Sequence, residues 1–218
     1  AAKVQGFEAA ARDITTALMT NNARLTEFLA KDKNNKLCTP QSPTDTVCFT
    51  TIVTKIGLKA FRRPLTQVEI TQFVNAISKF AVEAKSYQKG IELFLNVLLQ
   101  HPMFLYRWEV GMFAADGSGA YQLNDFELAS RLSFTLFGLP PDDILLAEAQ
   151  AKKLTDPESY KLVVDRMLND PRALDHIDFF HAAWLGYQAM DGSTPLSKAM
   201  RDETKALLKR VVIDEKRP

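Results

Sequence analysis

The sequence predicts an all-α protein, an irregular multi-helix bundle of about eight or nine short helices. Three observations predict this class. Apolar residues recur at intervals of three and four along most of the chain, as they do on one face of a helix. Ser, Thr, Asp and Asn stand where these stretches begin, which is where such side chains cap helices. Strand patterns are weak, and only the aromatic segment near 103–110 fits either a helical turn or a short extended piece.

In the first half of the chain, four stretches have helical spacing. A break is expected at Asn21–Asn22, and Pro102 is expected to stop the last helix. Thr66 and Glu69 form a capping box, in which each side chain accepts a hydrogen bond from the other residue's backbone amide. The predicted helices cover 4–31, 47–61, 66–80 and 91–99.

In the second half, each predicted helix opens with a capping residue or with proline. DGSG at 116–119 is a loop. Asn124 and Glu127 form one capping box, and Thr155 and Glu158 are expected to form another. The remaining helix starts are PPDD at 140–143, Asp170–Pro171 and Thr194–Pro195.

These boundaries predict three parts. Residues 1–36 form an N-terminal helical segment, which is the end of an upstream region. Residues 37–115 form a helical module with a cysteine loop and the AFRRPL motif. Residues 120–218 form a second helical module with the LASRLS motif, truncated at its C-terminal end. Because the chain starts without Met and both ends have helical spacing, we expect it to be part of a larger protein.

Composition and charge exclude several classes of partner. Apolar residues make up 46% of the chain and charged residues 24%, which is ordinary for a globular domain. The net charge is +1 with the signs interspersed, so no surface for nucleic acid or anionic lipid is predicted. The longest apolar stretch, IELFLNVLLQ, is too short to span a bilayer and contains Glu92 and Asn96. We therefore expect neither a nucleic-acid partner nor a membrane span.

Cys38 and Cys48 flank a loop rich in Pro, Ser and Thr, and two interpretations stand. A disulfide across this short loop would stabilise the fold by roughly 2.5 to 3 kcal/mol and would indicate an oxidising compartment. Alternatively, both are free thiols in a cytosolic protein. The spacing fits neither a zinc knuckle, which needs four ligands, nor the CxxCH of a c-type haem. We predict the disulfide, and with it a periplasmic or secreted protein.

The three histidines, His101, His176 and His181, do not have the spacing of a metal site. His176 and His181 are five residues apart, which suits two-point binding on a helix less well than four, and no carboxylate completes a set. His101 is expected to end its helix as a cation that complements the helix dipole. We therefore predict no metal and no cofactor in this chain, and any haem would belong to a partner domain or subunit.

Two charged pairs are the candidates for a binding site. Glu127 and Arg131 lie four residues apart on a helix that is otherwise apolar. We therefore expect both to be largely buried and paired, with each other or with Arg107 and Glu109, so that the helix is held against the LYRWE segment. Arg107 and Glu109 lie among aromatic residues and share one side if their segment is extended. Each pair is either a structural ion pair or part of a site for a polar or acidic ligand. No nucleophile, metal or phosphate-binding motif assigns a catalytic residue.

Three stretches resemble a known pair of domains. They are KAFRRPLTQVEI at 59–70, LLQHPMFLYRWE at 98–109 and LNDFELASRLSFTLFGLPPDDILLAEAQAKKLTDP at 123–157. RMLNDPRA at 166–173 and FFHAAWLG at 179–186 fit the same pattern, as does the cysteine pair ahead of AFRRPL. Over roughly residues 36–214 the chain is similar to the domains of unknown function 1595 and 1592. These domains occur in large secreted proteins of planctomycetes, myxobacteria and some marine proteobacteria.

The resemblance implies an extracytoplasmic protein linked to redox chemistry, because members are often found with c-type cytochrome domains in the same polypeptide or encoded nearby. It implies no activity for the helical module itself. The chain departs from the family pattern at His101, where a small residue is typical, and at His181, which counts against a mechanism based on histidine. The charged motif residues that carry over by position are Arg62, Arg63, Arg107, Glu109, Glu127, Arg131, Asp142 and Asp143.

Two functions stay open, and with them the question of whether this is an enzyme. The first is a non-catalytic helical module of a larger extracytoplasmic, redox-associated protein, whose partners are other domains or subunits such as a c-type cytochrome or a substrate-binding domain. The lack of a nucleophile or metal motif favours it. The second is part of an oxidoreductase-type enzyme, in which an Arg/carboxylate cleft holds a polar or acidic ligand. Its candidate residues are Arg107, Glu109, Glu127 and Arg131.

Overall fold

The computed structural model describes residues 2–30, 38–113, 119–190 and 193–215. Within these residues the all-α prediction is confirmed, because eleven α-helices are present and both strands are only two residues long. The chain divides into two compact units, Ala1–Glu109 and Val110–Pro218. None of the helices in the described ranges is long and apolar enough to cross a membrane.

All regular secondary structure in the described part of the first unit is helical. Its helices are α1 (Ala2–Met19), α2 (Asn22–Ala30), α3 (Thr46–Phe61), α4 (Gln67–Glu83), α5 (Tyr87–Gln100) and α6 (Pro102–Leu105). Helix α5 packs against α1 and α4, and α3 packs against α4. Phe49, Ile77, Phe94 and Leu98 are fully buried among these helices, at the apolar positions that the helical spacing predicts.

Local signals explain where the helices of the first unit begin. The predicted break at Asn21–Asn22 separates α1 from α2. The predicted capping box of Thr66 and Glu69 is present at the start of α4. Cys38 and Cys48 form the predicted disulfide, with their Cα atoms 5.6 Å apart, and Cys48 is buried in the core. The disulfide therefore fastens the loop before α3 to the body of the unit.

The second unit combines one short hairpin with five helices in its described part. Its elements are β1 (Met112–Phe113), β2 (Tyr121–Gln122), α7 (Asp125–Leu136), α8 (Asp143–Gln150), α9 (Pro157–Leu168), α10 (Pro171–Leu185), α11 (Pro195–Leu208) and a π-helical turn (Lys209–Asp214). The strands pair antiparallel. Helix α7 packs against α8, α9 and α10, and α10 packs against α11. Ala129, Leu145 and Met167 lie in the core.

The segment near 103–110 is a helical turn at its start and irregular afterwards. Helix α6 covers residues 102–105, and the extended pairing lies just beyond the predicted segment, at 112–113 and 121–122. With the four-residue α6, the described residues hold eleven α-helices, against about eight or nine predicted.

The predicted capping box of Thr155 and Glu158 is wrong by one residue. Asp156 caps α9 instead, with its carboxylate accepting a backbone hydrogen bond from inside the helix. The backbone amide and hydroxyl of Thr155 both donate to Asp125 at 3.0 Å, and Leu154 N donates to the same carboxylate at 2.8 Å. A residue that is distant in sequence therefore competes for Thr155, which local spacing could not reveal.

Candidate functional site

The carboxylate of Glu127 accepts three backbone hydrogen bonds. Asn124 N donates at 2.9 Å and completes the predicted capping box of α7. Val110 N and Gly111 N donate to the other carboxylate oxygen at 2.9 and 3.1 Å. Gly111 has a φ of +64°, which glycine adopts without strain. Glu127 therefore fixes the chain that enters the hairpin against the start of α7.

Arg131 is exposed and Glu127 half-buried, so the expectation that both charges are largely buried is wrong. The physical reason is that the small side chains of Ser130 and Ser133 are buried on the inner side of α7. Their burial turns Arg131 and Thr135 toward solvent, and α7 has a polar face after all. The predicted ion pair of the two charges stays a prediction.

Arg107 and Glu109 are exposed in the irregular segment after α6. They belong to the first unit, whereas Glu127 and Arg131 belong to the second. The structure therefore does not bring the four candidates together within one unit. A common cleft formed by all four stays a prediction.

Arg62 of the AFRRPL motif is buried, with 7% of its surface exposed. One guanidinium nitrogen donates to the carbonyls of Met103 and Tyr106 at 2.6 and 2.7 Å, and the other donates to Phe104 O at 3.3 Å. Burial lowers the pKa of Arg62, and the positive charge of Arg107 lowers it further. An arginine keeps its charge even so, and Arg62 therefore binds the carbonyl end of α6 with charged hydrogen bonds.

Arg63, the next residue, forms a two-point ion pair with Glu69. Their nitrogen–oxygen distances are 2.8 and 3.0 Å, and the same carboxylate accepts Thr66 N at 2.7 Å. The hydrogen bond from Arg63 is the main reason that the pKa of Glu69 is lowered to about 2, while burial works in the opposite direction. Arg63 therefore reinforces the capping box of α4.

Asp142 joins two helix starts in the second unit. Its carboxylate caps α8 by accepting Leu145 N at 2.9 Å and also accepts Arg172 at 2.7 Å. Although burial works to raise the pKa of Asp142, the hydrogen bonds from Leu145 and Arg172 lower it. Arg172 also pairs with Asp170 at 2.7 Å, and its guanidinium lies 4.2 Å from the centre of the Phe137 ring.

The charged residues of the motifs therefore fall into two groups. Arg62, Arg63, Glu127 and Asp142 bind backbone groups or ion-pair partners inside their own unit. Arg107, Glu109, Arg131 and Asp143 are exposed. The first group stabilises the fold, and the side chains of the second group are in contact with solvent.

A buried network around Asp178 was not predicted from the sequence. Asp178 is 7% exposed, and its carboxylate accepts Tyr187 Oη at 3.1 Å and an Arg201 nitrogen at 3.4 Å. Arg201 also donates to Met190 O at 3.1 Å. Burial and the hydrogen bond with Asp178 raise the pKa of Tyr187. The network ties α10, the loop after it and α11 together. The available signal in the sequence was a charged residue, Asp178, directly before the aromatic run FFHAAW.

Helix α10 exposes four large apolar side chains, which we call the α10 aromatic face. Phe179, Phe180, Trp184 and Leu185 form it, and Trp184 is 71% exposed. The rings of Phe180 and Trp184 are 6.1 Å apart. The His181 ring lies beside both, with Nδ1 2.8 Å from the carbonyl oxygen four residues earlier. The FFHAAWLG motif therefore presents aromatic surface to solvent.

The two histidines of α10, His176 and His181, contact different neighbours. The His176 ring packs on Gly138 and stacks with Phe179 at a centroid distance of 6.2 Å. Among the described residues, no three or more His, Cys, Asp or Glu side chains are grouped so that they could hold a metal ion.

Comparison with known families gives two matches, one in each unit. Residues 48–109 match the family described as "PSD5: Protein of unknown function (DUF1595)". Residues 123–218 match the family described as "PSD4: Protein of unknown function (DUF1592)". The resemblance seen in the sequence motifs is therefore confirmed for both domains. No curated protein and no solved structure matches the chain.

Proposed function

We propose that this chain, which carries the domains of unknown function 1595 at residues 48–109 and 1592 at residues 123–218, is a docking module of a larger extracytoplasmic, redox-associated protein. The α10 aromatic face is its docking surface. The partner is another domain or subunit of the same protein, namely a c-type cytochrome or a substrate-binding domain.

The exposure of the α10 aromatic face is the observation that carries this proposal. Its three aromatic side chains leave roughly 300–450 Å² in contact with water, judged from their exposed fractions and the area that such rings usually bury. Apolar patches of this size often mark interaction sites, and Trp dominates many interfaces. Asp175 and Lys205 beside the face pair with each other. Because these two charges neutralise each other, a protein surface is favoured as the partner over a charged polymer such as nucleic acid.

The disulfide supports the extracytoplasmic location. Structural disulfides persist mainly in oxidising compartments, and the Cys38–Cys48 bond closes a loop of the first unit. The redox association rests on the family resemblance, and it can be tested by an absorption spectrum of the protein isolated from its native source. A Soret band that co-purifies with this chain is expected, whereas its absence from every fraction would contradict a cytochrome partner.

Hydrogen exchange tests the docking surface. The peptide spanning 175–186 is compared between the isolated chain and the full-length protein with its partners. We expect at least tenfold slower exchange in the full-length protein, and loss of that protection when Phe180 and Trp184 are both replaced by Ser. Leu162→Ser is the matched control, because Leu162 on α9 is also 71% exposed but lies outside the face. Equal exchange in both samples would contradict the proposal.

One observation supports the alternative of an enzyme module that binds a polar or acidic ligand. Arg107, Glu109 and Arg131 are exposed, so a ligand could reach them. In that case Arg107→Ala and Arg131→Ala would keep the melting temperature of the protein and abolish the melting-temperature increase given by small dicarboxylates. If dicarboxylates do not raise the melting temperature of the wild type, this alternative loses its support.

A further inference from the structure

His101 lies between two helices and takes part in both of their ends. Its backbone amide donates to Leu98 O at 3.2 Å, at the end of α5. Its side chain caps α6, because Nδ1 accepts the backbone amide of Met103 at 3.1 Å. A ring nitrogen accepts a hydrogen bond only when it carries no proton. The cap therefore requires a neutral imidazole with its proton on Nε2, which differs from the cation predicted for this position.

The surroundings of the His101 ring favour the neutral form. The ring is half-buried, 4.6 Å from the Phe61 ring of α3 and 6.4 Å from the Phe73 ring of α4. Two charged groups act on it from neighbouring elements: Glu69 at the start of α4 favours the cation, and Arg63 after α3 disfavours it. Helix α6 itself, with the sequence PMFL, has no titratable side chain.

The same segment is held at its other end by Arg62. His101 binds a backbone N–H at the start of α6, and Arg62 binds the carbonyls of Met103, Phe104 and Tyr106. The four-residue helix is too short to be stable by itself. These two side chains therefore keep residues 102–106 in place.

We propose that His101 is an acid-sensitive latch on residues 102–106. The neutral ring caps α6 and holds the segment closed. Protonation places an N–H on Nδ1 opposite the N–H of Met103, so the hydrogen bond is replaced by repulsion between two donors. The segment then opens at its amide end. Phe104 and Tyr106, which are already partly exposed on this segment, become free to change position.

The direction of the pH dependence follows from the burial of the ring. Burial lowers the pKa of His101 below its ordinary value, so the folded protein binds the proton less readily than the unfolded chain. The closed segment therefore has its full stability above about pH 6.5, the ordinary histidine value, and loses it as the pH falls below that. Each pH unit between the two pKa values corresponds to about a tenfold change in the opening equilibrium.

Hydrogen exchange of the backbone amides of residues 103–106 in the full 218-residue chain tests the latch, since Pro102 has no amide hydrogen. Rates are measured at pH 7.5 and pH 5 and corrected for the intrinsic pH dependence of exchange. The wild type is expected to lose protection of these amides at pH 5 by about threefold or more. His101→Asn is the matched control, because asparagine also caps helices but does not titrate, and its protection should not depend on pH. His101→Phe keeps an aromatic ring without the cap and should be unprotected at both pH values.

Titration of the wild-type imidazole by NMR gives a second measurement that does not depend on how the variants fold. A pKa below about 6.5 supports the latch. A pKa at or above that value would overturn it, as would equal losses of protection at pH 5 in the wild type and in His101→Asn. His176 and His181 belong to the second unit, whereas residues 102–106 belong to the first.

Discussion

Replacement of Arg62 by Met tests whether a buried motif charge supports the fold. Methionine fills a similar volume and cannot donate a hydrogen bond. The change removes the charged hydrogen bonds to Met103 O and Tyr106 O, which are 2.6 and 2.7 Å long, and the longer one to Phe104 O. The three carbonyls then have to find water or remain unpaired, because Arg62 is 7% exposed and closes this side of α6.

The magnitude follows from the two short bonds. Hydrogen bonds to a charged group contribute about 1.5 to 3 kcal/mol each, which gives about 3 to 6 kcal/mol for two. Removing the desolvation cost of the buried cation offsets part of this. The left-handed backbone of Arg62, with a φ of +59°, is equally unfavourable for methionine and does not change the difference. We expect the free energy of unfolding to fall by about 3 kcal/mol, a large part of the 5 to 15 kcal/mol typical of a domain.

Urea unfolding of the wild type, Arg62→Met and Arg62→Lys measures this loss. Lysine keeps the charge but not the planar fork, so its effect should be intermediate. Arg63→Met is the control at the neighbouring position, where a partly exposed ion pair with Glu69 is lost and a change of about 1 kcal/mol or less is expected. An unfolding free energy for Arg62→Met within about 1 kcal/mol of the wild-type value would refute the structural role given to this guanidinium.

Three further predictions concern other residues. Intact mass should show no thiol of Cys38 or Cys48 alkylated without reductant, and reduction should lower the free energy of unfolding by roughly 2.5 to 3 kcal/mol. Arg131→Ala should change that free energy by less than about 1 kcal/mol, because the side chain is exposed, and a loss of 3 kcal/mol or more in urea unfolding would contradict this. The pKa of Glu69, lowered to about 2, predicts stability that is present above about pH 4.3 and is lost as the pH falls toward 2. The difference between wild type and Glu69→Gln in acid unfolding should therefore shrink over that range.

The parts of the fold that depend on short-range chemistry were predictable from the sequence. The capping boxes at Thr66 and Asn124 and the start of α11 at Thr194 are present as predicted. In each case the bonding partners are at most three residues apart, so their geometry is fixed once the helix forms. The all-α class follows from the same local patterns, together with the helical spacing of apolar residues.

The predictions that failed, or could not be made, depend on which face of a helix meets the core. In α7, Phe126 and Phe134 are only half-buried, whereas Ser130 and Ser133 are enclosed. Small polar residues can occupy an inner face when a neighbouring helix comes close, and no single sequence indicates where that happens. The contact of Thr155 with the Asp125 carboxylate likewise depends on the packing of segments that lie thirty residues apart in the sequence.

The candidate site was only partly predictable, since sequence motifs do not separate charges that stabilise the fold from side chains that face a partner. On α10 the structure shows both kinds of residue: Asp178 is buried in a hydrogen-bonded network, and the α10 aromatic face is exposed. A buried carboxylate is costly unless it is paired and hydrogen-bonded, and Asp178 meets this condition through Tyr187 and Arg201. The network holds α10 through Asp178, so rotating the helix to bury Phe180 and Trp184 would break these hydrogen bonds. Helix α10 is therefore anchored through Asp178, while Phe180 and Trp184 on the same helix are exposed.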